Sequence, residues 1–345
     1  MTEIAPAAPQ TRRLAVLDGW RGISILLVLA THMLPLGPPS WRLANASGNI
    51  MNLSAGNLGM CLFFILSGFL ITTNLLQHGN ILEFGLRRVF RILPLALLFM
   101  LLVLPFLDMS HDGWLAHLSF SVNYFSQFFA KETLHLWSLC IELHFYLFIG
   151  ILFALFGKKG LYALPFILLL VSMHNFMVID GDNSGMQTHI RVDEILAGCV
   201  LALIHYDHRA KWLRDWLGRL PFPLLLGILL GSCISCSFTP YWLRSYAAMA
   251  VIGHTLYRNP SPAFHFLESR FLYRVAEISY ALYVIHPITI AGWLGQGSLI
   301  VKYAKRPISI AMSFGLAYIS TNYYEKFFIE GGKRLSRFFQ ERSLR

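Results

Sequence analysis

Long apolar stretches recur along the chain near residues 16–35, 56–77, 91–108, 138–156, 160–178, 190–206, 221–238, 242–257, 272–292 and 307–325. Each can cross a hydrocarbon core of about 30 Å as a helix. The pattern predicts an all-α, polytopic membrane bundle of about ten transmembrane helices. Residues 1–13 (MTEIAPAAPQTRR) are rich in Ala and Pro and read as a disordered lead-in. A transmembrane domain over 14–328 and a basic tail over 329–345 follow. The first apolar run is too long for a signal-peptide core and reads as a retained span. No internal repeat is evident, which weakens an inverted-repeat transporter reading.

The basic residues give this bundle a direction. A cytoplasmic start places Arg12 and Arg13, then Arg87, Arg88 and Arg91, then Lys158 and Lys159 on the inner side. Arg209, Lys211, Arg214, Arg219, Arg258, Arg270, Lys326, Lys333, Arg334 and Arg337 join them. The outer loops hold Asp108, Asp112, Asp180 and Asp182. Both termini are therefore predicted cytoplasmic. One group conflicts: Lys302, Lys305 and Arg306 fall outside. The longest outer loop, 109–137, carries His111, Trp114, His117, Tyr124, Phe125, His135 and Trp137. Such a loop lies in the interface or roofs a cavity.

Composition agrees with the pattern. Of the 345 residues, 56% are hydrophobic and 13% charged, against about 25% charged in a soluble domain. Mean hydropathy is +0.56. The net charge of +10 follows from basic loops on one side of a bilayer, so it does not argue for a nucleic-acid partner. Cys61, Cys140, Cys199, Cys233 and Cys236 all fall in apolar stretches and read as free core thiols. Cys233 and Cys236 form a CxxC without a partner pair, so packing is favoured over metal or redox use.

Against this background the segment Asp18–His32 (DGWRGISILLVLATH) stands out. Arg21 and His32 are eleven residues apart, close to three helical turns, hence on nearly one face and about 16 Å apart along the axis. Ionisable groups inside a span face a protein interior or a water-filled cavity. Either residue alone also reads as an interfacial anchor. The predicted direction puts His32, Glu142, His286 and the Arg191–Asp193–Glu194 group at similar depth toward the outer side. A His beside a carboxylate is general-base chemistry, and His32 with Glu142 is the first pair to consider. His286 is the other base candidate, or a donor to a developing oxyanion. Near the inner side Arg88 and Arg91, three apart on a helix, suit bidentate phosphate recognition; charge alone favours plain positive-inside anchoring over that reading. GxSxG, HExxH and Walker glycine loops are absent, so hydrolase, zinc-protease and NTPase readings lack support. Gly181-Asp182-Asn183-Ser184 resembles an esterase nucleophile block but has no surrounding domain.

Six blocks occur in order: LDGWRGISILLVLATH (17–32), LFFILSGFLIT (62–72), RRVFRILP (87–94), LWSLCIELHFY (136–146), RVDEILAGCVLA (191–202) and ISYALYVIHP (278–287). In these the chain resembles the bacterial acyltransferase-3 membrane proteins, which include O-acetyltransferases of O-antigen, exopolysaccharide and Nod factor. The resemblance implies about ten core helices in the bacterial inner membrane. It also implies a cytoplasmic acyl-CoA donor, usually acetyl-CoA, and an acceptor hydroxyl on a glycan or lipid-linked sugar. No metal is expected. By matching motifs, Arg21 and His32 correspond to the family's first-span pair, and Arg88 and Arg91 to its donor-linked R-x-x-R. Glu142 matches the fourth-span glutamate, while Ser279, Tyr280 and His286 match the ninth-span block. Trp137, Ser138, Tyr146, Arg191 and Asp193 are expected to bind substrate or support the site. His144 departs from the glutamine of many relatives. Some members fuse an extracellular esterase-like domain at the C-terminus; here a separate periplasmic acyltransferase or glycan-assembly protein would supply it if needed. The expected activity is membrane-bound O-acylation. The alternative is a transporter or flippase using the same polar track.

Overall fold

In the computed structural model, which describes residues 8–37, 40, 49–178, 185–234 and 241–343, every regular element is a helix. Three long helices open the chain: α1 (Ala8–Met33), α2 (Ile50–His78) and α3 (Ile81–Val103). α1 thus takes in residues 8–13 of the expected lead-in, while residues 1–7 lie outside the described residues. Gly79 ends α2 at φ 65 and returns its N–H to the Leu75 carbonyl. Asn80 then caps α3 by accepting from the Glu83 N–H at 3.0 Å. Glycine tolerates the left-handed conformation, and an Asn cap satisfies an orphan donor, so only two residues separate α2 from α3. The short α4 (His111–Leu118) precedes α5 (Leu136–Gly160) and α6 (Leu164–Val178). Gly157, at φ 58 and ψ −150, breaks α5 near its C-terminal end.

The second half is more broken. It comprises α7 (Thr188–Tyr206), α8 (Lys211–Arg219), α9 (Phe222–Cys233), α10 (Tyr241–Tyr257), α11 (Arg270–Glu277) and α12 (Ser279–Ile285). Two short helices, α13 (Gly292–Gly295) and α14 (Leu299–Ala304), lead to α15 (Arg306–Ile319). A π segment, Ser320–Glu325, joins it to α16 (Lys326–Ser343). Ser320 and Thr321 donate to the Glu325 carboxylate at 3.1 and 3.0 Å there.

Among the described residues four stretches are long and apolar enough to cross a membrane: Ala15–Met33, Ile50–His78, Ile81–Phe106 and Leu136–Met177. A fifth arises if α8 and α9, bent by 87°, count as one span. The other apolar stretches of the sequence fold as shorter, bent or interrupted helices, since polar residues and Gly or Pro breaks divide them. Exposed apolar side chains such as Phe106 (87% exposed), Leu155 and Met177 cover the outside of the bundle. An exterior so rich in exposed apolar side chains belongs in lipid, and this is a membrane protein.

α2 is the central helix, packed on α1 and α7. Phe64, Ile65, Leu66 and Ile71 on it are fully enclosed. At its crossing with α7, a Cβ on Gly68 would sit 1.9 Å from the Ile195 carbonyl oxygen, and one on Gly198 would sit 2.0 Å from that of Ile65. The two backbones therefore touch, as small residues permit in membrane bundles. Cys61, Cys140, Cys199 and Cys233 are buried free thiols; Cys236, Asp180 and the 181–184 block lie outside the described residues. The basic tail forms most of α16, which packs on α3 with Gly332 under the Phe90 ring.

Candidate active site

Most candidate residues of the sequence motifs gather on α1, α2, α3, α5 and α12, in two groups at opposite ends of the Arg21–His32 face. At the Arg21 end, the Arg21 Nε–H donates to the Ser279 hydroxyl at 3.3 Å, and Nη1 lies 3.7 Å from Asp18. Its side chain is 18% exposed. Arg88 and Arg91 of α3 and Glu142 of α5 lie within electrostatic range of Arg21, which with Ser279 of α12 brings four helices together there. Ser279 stands at the first turn of α12 and donates onward to the Ala276 carbonyl at 2.8 Å. Next to it, the Tyr280 hydroxyl donates to the Ile92 carbonyl of α3. Pro94 lies inside α3 and cannot supply an N–H to the turn before it. Tyr324 donates to the Pro94 carbonyl itself at 3.2 Å.

Arg88 is half-buried, its guanidinium 5.4 Å from the Tyr146 ring centre and 5.7 Å from that of Phe84. Arg91 is exposed. Arg87 is turned away and paired with Glu83. Two of the three arginines therefore remain available to an anion, one on aromatic rings and one in solvent. Tyr146 carries the line further by donating to Glu142, which also accepts from Ser67 at 2.6 Å. Two donors on one carboxylate fix its orientation inside the bundle.

At the other end the rings of His32 and His286 face each other, 5.1 Å between centres. His32 remains solvent-accessible although protein surrounds most of it, while His286 is buried. The His286 Nδ1 lies 2.8 Å from the Tyr283 carbonyl and 3.2 Å from that of Leu282. A ring nitrogen facing two carbonyls must carry the hydrogen, which leaves Nε2 as the basic nitrogen. His135 stands 5.6 Å from His286, ring centre to ring centre. The Tyr283 hydroxyl donates to the His135 carbonyl and meets the Ser138 hydroxyl, tying α12 to the start of α5.

The pairing of His32 with Glu142 is not formed: no hydrogen bond or ion pair joins them. Glu142 is six residues inside α5 from Leu136, about 9 Å at 1.5 Å per residue. That depth carries it toward Arg21 and away from the His32–His286 level. The Arg191 group also separates from the histidines. Glu194 accepts from the Arg244 Nε–H at 2.7 Å and lies 3.4 Å from Arg191. The Arg191 guanidinium covers the Trp137 ring at 5.3 Å, and Asp193 is buried beside them. This ion cluster links α5, α7 and α10. His144 meets Thr188 at 2.7 Å on another side of α5, away from Glu142.

Sequence reasoning passed over Arg244, Ser67, Tyr283 and the position of His135. Arg244 was legible as a cation inside an apolar stretch; the others required the helix contacts. Among the described residues, no group of three or more His, Cys, Asp or Glu is arranged to hold a metal ion.

The family model described as "Acyltransferase domain" matches residues 14–321, which takes in both groups and the ion cluster. The chain belongs to the acyltransferase-3 family. It is similar to the O-acetyltransferase OatA of Staphylococcus aureus, with 29% identity over 319 residues in strains NCTC 8325 / PS 47, COL and MRSA252. That match covers 80% of this chain and 50% of the relative, so the chain spans about half the length of these proteins. No solved structure matches the chain.

Proposed function

We propose that this protein is a membrane O-acyltransferase. It moves an acyl group, acetyl from acetyl-CoA, from the cytoplasmic side to a hydroxyl of a cell-envelope or exported glycan or glycolipid. The observation that carries the reading is the two-ended polar path. Arg88 reaches Tyr146, Tyr146 reaches Glu142, and Glu142 lies within electrostatic range of Arg21. Three turns along α1 from Arg21 stands a histidine pair with a fixed basic nitrogen. Arg88 and Arg91 bind the phosphates of the coenzyme, and the pantetheine arm runs past Arg21 toward His32. The family match and the similarity to O-acetyltransferases support the reaction class.

In the reaction, the acceptor hydroxyl gives its proton to an imidazole nitrogen as its oxygen bonds to the thioester carbonyl carbon. The carbon–sulfur bond then breaks, and the imidazolium returns the proton to the departing thiolate. His32 is the accessible base. His286, rigidly held, keeps the facing ring in place and presents its own Nε2 to the same region. Alternatively, His32 carries the acyl group transiently between donor and acceptor. Glu142 is assigned to the Arg21 end, where its fixed carboxylate sets the charge along the donor arm.

Purified protein in proteoliposomes, supplied with radiolabelled acetyl-CoA and a glycan extract, tests this. Label should pass to the glycan, and His32→Ala and His286→Gln should each reduce transfer at least about 100-fold. Full transfer by both variants would remove the histidines from the chemistry. Solute flux without any acyl-CoA requirement would replace the enzyme by a transporter.

A further inference from the structure

The basic group that breaks the charge pattern, Lys302, Lys305 and Arg306, divides in the structure. The Lys305 ammonium donates to the carbonyls of Trp293 and Gln296 at 2.9 and 3.3 Å and sits 4.1 Å above the Trp293 ring. It has a structural task, closing the α13–α14 turn. Arg306 has none. It is 5% exposed, and its Nε and Nη1 are buried without a hydrogen-bond partner. Its guanidinium carbon stands 5.9 Å from the centre of the Tyr303 ring. Three residues on, about one turn along the same face, Ser309 is fully enclosed with its hydroxyl also unpartnered.

Arg306 is also the first residue of α15, where the helix dipole is positive. A guanidinium with two of its three nitrogens kept from solvent and unpaired, placed at the positive end of a helix, is unfavourable on each of these counts. A long Arg side chain at the edge of a membrane protein ordinarily reaches out to water; this one leaves its Nε and Nη1 buried. An anion between Arg306 and Ser309 would relieve all of these at once.

The place is connected to the histidines. Arg306, Ser309, Ser313 and Ala317 form the buried stripe of α15, which packs on α12. Ser313 donates to the Ser309 carbonyl at 2.9 Å and meets the Thr289 hydroxyl at 2.6 Å. Thr289 in turn donates to the His286 carbonyl at 2.8 Å. Arg306 stands seven residues before Ser313, about 10 Å back along α15 at its first position.

We propose that Arg306 and Ser309 form an anion subsite on the histidine side of the bundle, which holds a carboxylate or phosphate group. The group belongs to the acceptor or to an anionic lipid beside it. Its assignment to an acceptor rests on the acyltransferase reading; the anion site does not. An acidic sugar or the phosphate of a lipid-linked sugar, anchored here, would present a hydroxyl toward His286 and His32.

The test uses the full chain in phosphatidylcholine nanodiscs, with the unfolding midpoint followed as glucuronate or inorganic phosphate is titrated. Wild type should be stabilised by at least one of them. Arg306→Gln should weaken the apparent affinity about 10- to 100-fold, and Arg306→Lys and Ser309→Ala less. A second arm replaces part of the phosphatidylcholine by phosphatidylglycerol. Stabilisation by that lipid alone, lost in Arg306→Gln, identifies a lipid headgroup as the occupant. No response to any probe, or an equal response in Arg306→Gln, overturns the proposal. If Arg306→Gln does not fold, the Lys and Ser309 variants decide by the same criterion. Binding of acetyl-CoA to the wild-type nanodiscs is measured alongside, so failure of the acyltransferase reading and failure of the anion site are seen separately.

Discussion

Adding one methyl group at Gly68 should disturb both stability and turnover. Its Cβ would lie 1.9 Å from the Ile195 carbonyl oxygen, against an ordinary contact of 3.4 Å or more. The obstacle is backbone, so no side chain can rotate away, and α2 must move from α7 by about 1.5 Å. A gap of 0.5–1 Å already forfeits a quarter to a half of each dispersion contact. The helices concerned bury Phe64, Ile65, Leu66 and Ile71 on one side and Ile195, Leu196 and Cys199 on the other. Gly68→Ala should therefore cost about 3 kcal/mol or more and lower the unfolding midpoint in detergent by roughly 5 °C. The same movement draws Ser67 off Glu142, which it now holds at 2.6 Å, so acyl transfer should fall with it. Gly198→Ala should behave alike. Once the first methyl has parted the helices, the second meets space already opened, so the double variant should cost less than the sum. Gly227 of α9 has no atom near its would-be Cβ, and Gly227→Ala should stabilise by up to about 1 kcal/mol. An unchanged midpoint for Gly68→Ala, or strict additivity of the pair, would refute a backbone-to-backbone crossing.

Arg244→Gln leaves the buried Glu194 with the more distant Arg191 alone and should cost about 3 kcal/mol; adding Glu194→Gln should recover part of it, as denaturant titration of the four proteins will show. Ser67→Ala removes one of two donors to Glu142 and should lower kcat about tenfold; a kcat equal to wild type would take Glu142's orientation out of the mechanism. Arg88→Gln and Arg91→Gln should each weaken acetyl-CoA binding about tenfold by calorimetry. Arg87→Gln, already paired with Glu83, should stay within about twofold.

Much of this was determined by the sequence alone. Apolar runs require helices wherever they occur in a membrane, because no water there satisfies a backbone group. The helical repeat then placed Arg21 and His32 on one face without any knowledge of neighbours. The six ordered blocks carried the family. Tertiary structure decided the partners. Residues placed at similar depth were expected to meet, yet Glu142 faces Ser67 and Tyr146, while His32 faces His286. Depth follows from position along one helix; facing depends on how two helices are rotated about each other, which one chain's pattern does not specify. The span tally shows the same limit, since hydropathy averages over the Gly157 break and the α8–α9 bend. Arg306 is the sharpest case. In the sequence it was a misplaced charge, and only the packing of α15 on α12 turned it into a buried cation without a partner.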